Sequence, residues 1–452
     1  MRDKNSKKRY TLVVLLLLLV GISIGYAAIA TTLNINGNTT IEKASWDIHF
    51  ENLVKTTGSE VATTEAAIDQ TKTLIEYTVT LPKPGDFYEF TVDMVNNGTI
   101  DAMISEVLKE GLTTEQEKYI SYTATYSDGI ALEEKDYLKS GETQNIRVRV
   151  KYRDDISAAE LPTENQSLSL KFMVTYIQAD ESAKERTVAI CRRATELHTE
   201  ECVPMNHYAT RCDSDGYTLA GSKGTTTVTY GNLGEAGILA SGDAFDCDVN
   251  GDGTYDSDTE RFYYVTELDT DSSYGVFIYY NNVAGGVPSN TAIFAYNTTR
   301  SNTEYFGPQT AILELPTINQ WKNVSLLNLS RDIKDQNGTI RVSDFSYDGY
   351  VSRLLTIQEV GAACNITLGI TQGTAVQEEL DSCIYLYENT RYTVPENSVG
   401  YWLENVQYNE GFSGLAPFVD GFYGDVGATT VDSVSHWGVR PVIEVPISRI
   451  GY

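Results

Sequence analysis

The strongest constraint on the fold is a strict alternation of apolar and polar residues in the N-terminal third of the chain. In Gln144–Tyr152 every second residue is apolar, and the residues between them are polar or basic. Leu168–Tyr176 repeats this period. Successive side chains of a strand point to opposite faces, so a period of two predicts strands with one buried and one solvated face.

Shorter stretches of the same kind fill the rest of this third and are separated by turn clusters. The further predicted strands are Ser45–Phe50, Leu74–Leu81, Phe90–Met94 and Ile120–Tyr126, and the turn clusters are Pro82–Asp86 and Asn96–Gly98. Several alternating strands divided by such turns are typical of an antiparallel β-sandwich. We therefore predict a mainly β protein whose first domain is a sandwich over residues 31–178.

A polar stretch at residues 179–185 predicts a linker, and the composition changes after it. Residues 186–452 are rich in Gly, Tyr, Asn and Thr. Capping-box patterns begin at Thr317 and Thr356 and predict helix starts. Together with a short helix at Glu378–Tyr387, the strands predicted in this region indicate an α+β domain over 186–452. These strands are Arg261–Val265, Gly275–Tyr280 and Val439–Val445.

The stretch 246–260, DCDVNGDGTYDSDTE, concentrates negative charge. Counted from Asp248, it matches the D-x-N-x-D-G opening of an EF-hand loop, but Glu260 comes one residue after the expected twelfth position. A register counted from Asp246 stays open, and so does a solvated acidic turn without metal. The stretch predicts a calcium loop with the ligands Asp246, Asp248, Asn250, Asp252, Thr254, Asp256 and Glu260.

The N-terminus indicates export. Five basic residues precede the uncharged, leucine-rich stretch Thr11–Ala30, which ends in the small residues of Ala28-Ile29-Ala30. We therefore predict that residues 1–30 are a signal peptide or an uncleaved membrane anchor. If they are not cleaved, the chain contacts the membrane only through residues 11–30. Both alternatives place the rest of the chain at the cell surface or outside the cell.

Net charge and cysteines agree with that compartment. A formal charge of −28 argues against nucleic acid as a partner, because phosphates would be repelled. All six cysteines lie after residue 190, and an even number in an exported protein suggests disulfides. We predict a Cys364–Cys383 bond. Cys191, Cys202, Cys212 and Cys247 would pair among themselves in one of three ways.

The leader, KKRYTLVVLLLLLVGISIGYAAIATTLNING followed by SWDIHF, resembles the leaders of the TasA and camelysin family of Gram-positive surface and biofilm-matrix proteins. The segment PKPGDFYEFTVDMVNNGTIDA is similar to turns in their sandwich domain. The resemblance implies an exported surface protein that carries a β-sandwich.

A second resemblance covers the C-terminal part. Arg353–Val360 resembles the R-L-P-T-x-x-E-W segment of the sulfatase-modifying-factor family, which has a C-type-lectin-like fold. Leu315–Trp321 offers a competing match. Tyr401–Asn405 and Gly438–Ile443 resemble the strands that follow, and uncharacterised bacterial surface domains end in the same pattern. The family's catalytic cysteines near the closing strand are absent from Ser433–Val445.

Two functional hypotheses follow from these observations. The first is a non-enzymatic surface, adhesion or matrix protein that binds a glycan or protein, with Tyr401, Trp402 and Trp437 as a possible ligand surface. The second is a secreted enzyme of the sulfatase-modifying-factor fold or a hydrolase. The motif H-E-x-x-H is absent, and the one G-x-S-x-G, Gly21–Gly25, lies inside the uncharged leader, so we expect the first. Arg440 lies among apolar residues, so it should be structural and should need polar partners.

Overall fold

The computed structural model describes most of the chain after residue 42. The described residues are 12–17, 43–56, 64–154, 156–157, 161–162, 167–197, 209–213, 216–221, 224–228, 231–235, 237–284, 295–298, 306–335, 337–368, 380, 382–387, 400–409, 412–420, 424–432 and 437–452. Only the backbone is described for 209–213, 216–221, 224–228, 408–409 and 412–413.

Strands dominate the described residues. The strands are β1 Ile48–Lys55, β2 Thr64–Ile68, β3 Ile75–Val79, β4 Phe87–Asn96, β5 Ala102–Glu110, β6 Ile120–Tyr126, β7 Tyr137–Leu138, β8 Thr143–Tyr152, β9 Leu168–Gln178, β10 Cys191–Arg193, β11 Ala209–Asp213, β12 Gly216–Gly221, β13 Gly224–Val228, β14 Ala244–Cys247, β15 Arg261–Leu268, β16 Asp271–Tyr279, β17 Ser330–Lys334, β18 Ile340–Ser346, β19 Gly400–Trp402, β20 Gln407–Asn409, β21 Phe412–Asp420, β22 Asp425–Thr430, β23 Val442–Pro446 and β24 Ile450–Gly451. An α-helix spans Ile357–Cys364, and short 3-10 helices span Gln116–Lys118, Ala311–Glu314, Ile384–Leu386 and Ile447–Arg449.

The first nine strands form a β-sandwich, which we call the sandwich. One sheet has the order β1-β4-β8-β6 and the other β2-β3-β9-β5-β7. Buried side chains of both sheets, such as Val148 and Phe172, belong to one continuous core. The predicted mainly β class is therefore confirmed.

The alternation that predicted these strands matches their burial. Along β8, Ile146, Val148 and Val150 are fully buried, and the residues between them are partly exposed. On β9 the inward residues stay buried up to Phe172. The alternating residues are thus the ones that close the core between the two sheets.

A six-stranded sheet organises the C-terminal region, by which we mean residues 186–452. Its order is β23-β16-β15-β14-β10-β24, and only the β10–β24 pair is parallel. Phe245 and Phe277 pack into one core on this sheet, whereas Tyr263, Val276 and the helix residue Val360 pack into another. Both faces are covered, which explains why β15 is buried along almost its whole length.

Smaller sheets complete the described part of this region. Strands β11, β12 and β13 form a meander, β17 pairs with β18, and β21 pairs with β19, β20 and β22. These are the short strands and irregular connections that the Gly- and Asn-rich composition favours.

The two capping-box patterns have different outcomes. At Thr356 the box is complete, because its side chain accepts from the Glu359 amide and the Glu359 carboxylate accepts from the Thr356 amide. The helix predicted at Thr317 is wrong, since Thr317–Gln320 forms only a turn. The box at Thr317 is incomplete, because the Gln320 amide donates to the Thr317 carbonyl while the Thr317 hydroxyl donates to the Gln320 side chain. At Glu378–Tyr387 the described part contains the 3-10 helix Ile384–Leu386.

Residues 1–45 and 46–452 form two separate compact units. The second unit includes both the sandwich and the C-terminal region. That these two parts are independently folding domains joined by a linker at 179–185 therefore stays a prediction. In that stretch Lys184 is hydrogen-bonded to the sandwich backbone, to Tyr137 at 2.8 Å and to Lys135 at 2.9 Å.

Of the predicted leader, the described part is a helical turn and a half at residues 12–17. None of the helices in the described part of the chain has both the length and the apolar character needed to cross a membrane. The predicted cleavage site, Ala28-Ile29-Ala30, lies outside the described residues.

Candidate functional site

The acidic stretch forms the loop between the antiparallel strands β14 and β15. Asp246 lies opposite Arg261 in the strand register, and the amide of Cys247 donates to the carbonyl of Glu260 at 2.9 Å. Cys247 is also disulfide-bonded to Cys191 on the neighbouring strand β10. Hydrogen bonds and a covalent bond therefore hold the base of the loop on the six-stranded sheet.

Asp248 organises the first half of the loop. It is 7% exposed, and its carboxylate accepts from the amides of Gly251 at 2.8 Å, Asp252 at 3.0 Å and Gly253 at 3.1 Å. The side-chain amide of Asn323 donates to the carbonyl of Asp248 at 2.8 Å. The loop is thus wound around one carboxylate whose position is fixed from several sides.

Glycine is required where this winding turns sharply. Gly251 has a φ of 76° and Gly253 a φ of 84°, in the left-handed region that L side chains rarely adopt. The side chain of Asn250, just before Gly251, accepts from the Asp252 amide at 2.8 Å. The side chain of Asp252, between the two glycines, accepts from the Thr254 amide at 2.8 Å. The oxygen-bearing side chains at Asp248, Asn250 and Asp252 therefore follow one another along a tight curve.

Glu260 closes the loop from the other end. It is 2% exposed, and its carboxylate accepts from the amides of Asp256 at 3.2 Å and Asn250 at 3.4 Å. Burial raises the pKa of Glu260, and the negative charges of Asp248 and Asp252 raise it further. These three carboxylates are therefore close enough to repel one another, and a bound cation would relieve that repulsion.

Asp252 differs from Glu260 because it is exposed. The pKa of Asp252 is lowered, mainly by the hydrogen bond from the hydroxyl of Thr254. At neutral pH the outer half of the loop thus presents an ionised carboxylate to solvent. Asp256 is also exposed and accepts from the Asp258 amide at 2.8 Å.

The predicted ligand Asp246 is placed differently from the others. Its carboxylate accepts from Arg261 Nε at 2.5 Å, and the Arg261 side chain is almost fully buried. An anion committed to a buried guanidinium is a poor metal ligand, so the structure favours the register that begins at Asp248.

The remaining loop donors are all oxygens, the atoms that a hard cation such as Ca²⁺ prefers: carboxylates, the amide of Asn250 and the carbonyl of Thr254. In the described residues, however, no three His, Cys, Asp or Glu side chains converge as ligands for one metal ion. The carboxylates face backbone amides instead. Calcium binding at the loop accordingly stays a prediction.

The predicted ligand surface of aromatic residues needs correction. Tyr401 and Trp402 lie on the short strand β19 and are fully buried. Trp437 is partly buried and stacks on Phe418 with 3.5 Å between the ring centroids. These rings fill the core because β19 pairs with β21 inside the C-terminal region, so Tyr401 and Trp402 are not accessible to a ligand.

Arg440 is fully buried, and its guanidinium donates to four backbone carbonyls. These are Tyr279 at 2.6 Å, Leu386 at 2.8 Å, and Tyr280 and Tyr385 at 3.2 Å each. Burial lowers the pKa of Arg440. The side chain therefore ties the end of β16 to the 3-10 helix at Ile384–Leu386, which is a structural task.

Two disulfides are present in the described residues. Cys364 is bonded to Cys383, as predicted from their isolation in the sequence, and Cys191 is bonded to Cys247. The second bond excludes the pairings in which Cys191 joins Cys202 or Cys212. Cys202 and the side chain of Cys212 lie outside the described residues.

Sequence reasoning missed a buried ion network. Arg353 is fully buried and contacts Glu359 at 2.5 and 2.9 Å and Glu444 at 2.6 Å. Arg331 bridges Glu444 at 3.2 Å and Glu404 at 3.0 Å. Glu444 in the buried strand β23 was the available signal, because a charge inside an apolar strand requires a partner.

The network fixes the helix against the sheet. Burial alone would raise the pKa of Glu359, but the charge and hydrogen bonds of Arg353 hold it below its usual value. The carboxylate stays ionised in the core and also caps the helix through Thr356. A buried arginine, a partly buried arginine and three carboxylates are thus packed together away from the acidic loop.

Comparison with known proteins adds no family to this description. A scan of protein-family models gives no match, and the curated proteins contain none with significant similarity.

Proposed function

We propose that this protein is exported and acts at the cell surface or in the matrix between cells as a non-enzymatic binding or adhesion module. Its C-terminal region would be stabilised by calcium in the loop 246–260. The observation that carries the proposal is the pair of buried carboxylates, Asp248 and Glu260, which accept from backbone amides at the two ends of a short loop of oxygen donors.

Calcium would take the side-chain oxygens of Asp248, Asn250, Asp252 and Glu260 and the carbonyl of Thr254, with Asp256 completing the shell. The amide hydrogen bonds already orient Asp248 and Glu260, so little ordering would remain for the ion to impose. The raised pKa of Glu260 shows an electrostatic cost that a divalent cation would offset.

The partner would be a glycan or a protein at the surface. Support for export comes from the leader and the two disulfides, which form and persist in oxidising compartments. A mixed sheet packed against one helix is compatible with the C-type-lectin-like fold that the resemblance implies, and that finer assignment belongs to this proposal.

Two measurements test the proposal. Cell fractionation with an antibody should find the chain outside the cytoplasm, and finding it inside would contradict export. A glycan array probed with the purified full chain, with calcium or with chelator, should give calcium-dependent binding to a restricted set of glycans. A pull-down of cell-surface proteins with the full chain tests a protein partner in the same way. If neither the glycan array nor this pull-down shows binding in the presence of calcium, the proposed binding role is wrong.

A further inference from the structure

We propose that the sandwich and the C-terminal region move as one rigid body. Tyr255, in the acidic loop, is the contact that holds the interface between them. A change that orders the acidic loop would then make this interface more rigid, and a change that loosens the loop would make it more mobile. The inference goes beyond the proposed function and does not require the loop to bind an ion.

Tyr255 lies at the middle of the acidic loop but contacts the sandwich. Its ring packs against the core shared by the two sandwich sheets. Its hydroxyl donates to the carbonyl of Ala189 at 3.0 Å, and the guanidinium of Arg192 lies over the ring at 5.1 Å from its centroid. Burial raises the pKa of Tyr255. An aromatic side chain placed this way contributes both apolar contact and one polar anchor.

The segment that connects the two parts is held from both sides. On the sandwich side, the carboxylate of Asp128 accepts from Arg186 Nη1 at 2.8 Å and from the Ala189 amide at 3.3 Å. On the loop side, the amide of Asp248 donates to the carbonyl of Ile190 at 2.9 Å. The loop, the connecting segment and the sandwich therefore share hydrogen bonds within a few residues of one another.

A second contact joins β24 to the sandwich. Gly451 and Gly129 both meet backbone, since a Cβ at Gly451 would overlap the carbonyl oxygen of Asp128 and one at Gly129 would overlap the amide nitrogen of Tyr452. Arg147 on β8 donates to the carbonyl of Tyr452. The two backbones thus touch without an intervening side chain.

A third contact is the ion pair between Lys151 on β8 and Glu235, at 2.5 Å. Residues 235, 255 and 451–452 come from three separate stretches of the C-terminal region. Because they contact the sandwich together, rotation about any one of them is blocked by the other two. Tyr255 is the only one of the three that lies in the acidic loop, so it is the contact through which a change in that loop would reach the sandwich.

The test uses the full chain with Tyr255→Ala and, as a matched control, Tyr274→Ala, which removes another partly buried ring that packs within the C-terminal region. Scanning calorimetry of the wild type should give one transition. Y255A should split it into two, whereas Y274A should lower it without splitting. Two transitions in the wild type, or a single one in Y255A, would overturn the proposal.

Limited proteolysis at residues 186–190 provides a second readout that does not depend on thermal unfolding. Loss of the ring and hydroxyl contacts should make cleavage there about tenfold faster in Y255A than in Y274A. Tyr255→Phe, which keeps the ring and loses the Ala189 hydrogen bond, should fall between wild type and Y255A, and it replaces Y255A if that variant does not fold. Equal rates of cleavage at residues 186–190 in the Tyr255 variant and in Y274A would contradict the proposal.

Discussion

Replacing Glu359 by Gln is the sharpest test of the buried ion network. One carboxylate oxygen accepts from Arg353 Nη2 at 2.5 Å, and the other accepts from Arg353 Nη1 and from the Thr356 amide, both at 2.9 Å. A glutamine keeps the size but turns an NH₂ group toward the guanidinium. Arg353 would then be a buried cation with only Glu444, at 2.6 Å, as its anionic partner.

Removing one member of a buried pair costs about 3–5 kcal/mol. Because Glu444 remains, we expect a loss of about 3 kcal/mol in the free energy of unfolding. Thr356→Ala is the matched control, since it removes only the cap and should cost about 1 kcal/mol. Replacing both partners, with Arg353→Met and Glu359→Leu, should recover part of the loss, because no unpaired guanidinium stays buried and Glu444 keeps Arg331 at 3.2 Å.

Urea unfolding at pH 7, followed by tryptophan fluorescence, measures these differences. The pKa of Glu359 is lowered in the fold, so its stabilisation is present above the unfolded pKa and is lost as the pH falls through the folded one. The E359Q penalty should therefore shrink in acid. A penalty for E359Q at pH 7 no larger than that of T356A would refute the account of the network.

The remaining predictions concern the loop, a disulfide and Arg440. In the calcium-free protein Glu260→Gln should destabilise less at pH 7 than below the usual pKa of Glu, because the pKa of Glu260 is raised in the fold and its charge is unfavourable there; a larger loss at pH 7 would contradict it. Cys364→Ala should cost about 3 kcal/mol of unfolding free energy in urea, and an unchanged midpoint would show that the bond does not stabilise the fold. Arg440→Met should destabilise more than Arg440→Lys, because it removes every donation from this side chain to four backbone carbonyls, whereas a lysine can replace some of them; equal thermal midpoints would contradict this.

The sequence was most informative where one side of an element faces water. The alternation around Val148 and Leu170 predicted the sandwich strands because each sheet has one buried and one solvated face. In the six-stranded sheet both faces are covered, so strand period carries no information about orientation. The burial of Trp402 could not be read from its chemistry, because aromatic residues are common both in cores and on binding surfaces.

Long-range partners were the part that local patterns could not supply. Arg353 and Glu444 are 91 residues apart in sequence yet contact each other at 2.6 Å. The capping boxes at Thr317 and Thr356 have the same signature, but only the second forms both of its hydrogen bonds and begins a helix. The loop motif was recognisable, whereas the role of Tyr255 as a sandwich contact required the fold.

Calorimetric titration of calcium into the metal-free full chain tests the central claim most directly. Extracellular calcium modules have dissociation constants on the order of 10⁻⁴ to 10⁻³ M, so one site in this range is expected. At millimolar calcium it would add roughly 0.4 to 1.4 kcal/mol of stability. Asp252→Ala should abolish both the binding heat and the calcium-dependent rise in melting temperature, while Asp271→Ala, at an exposed turn in the same region, should leave both unchanged. If the wild type shows neither binding heat nor a calcium-dependent rise, the loop is a solvated acidic turn and the proposal is wrong.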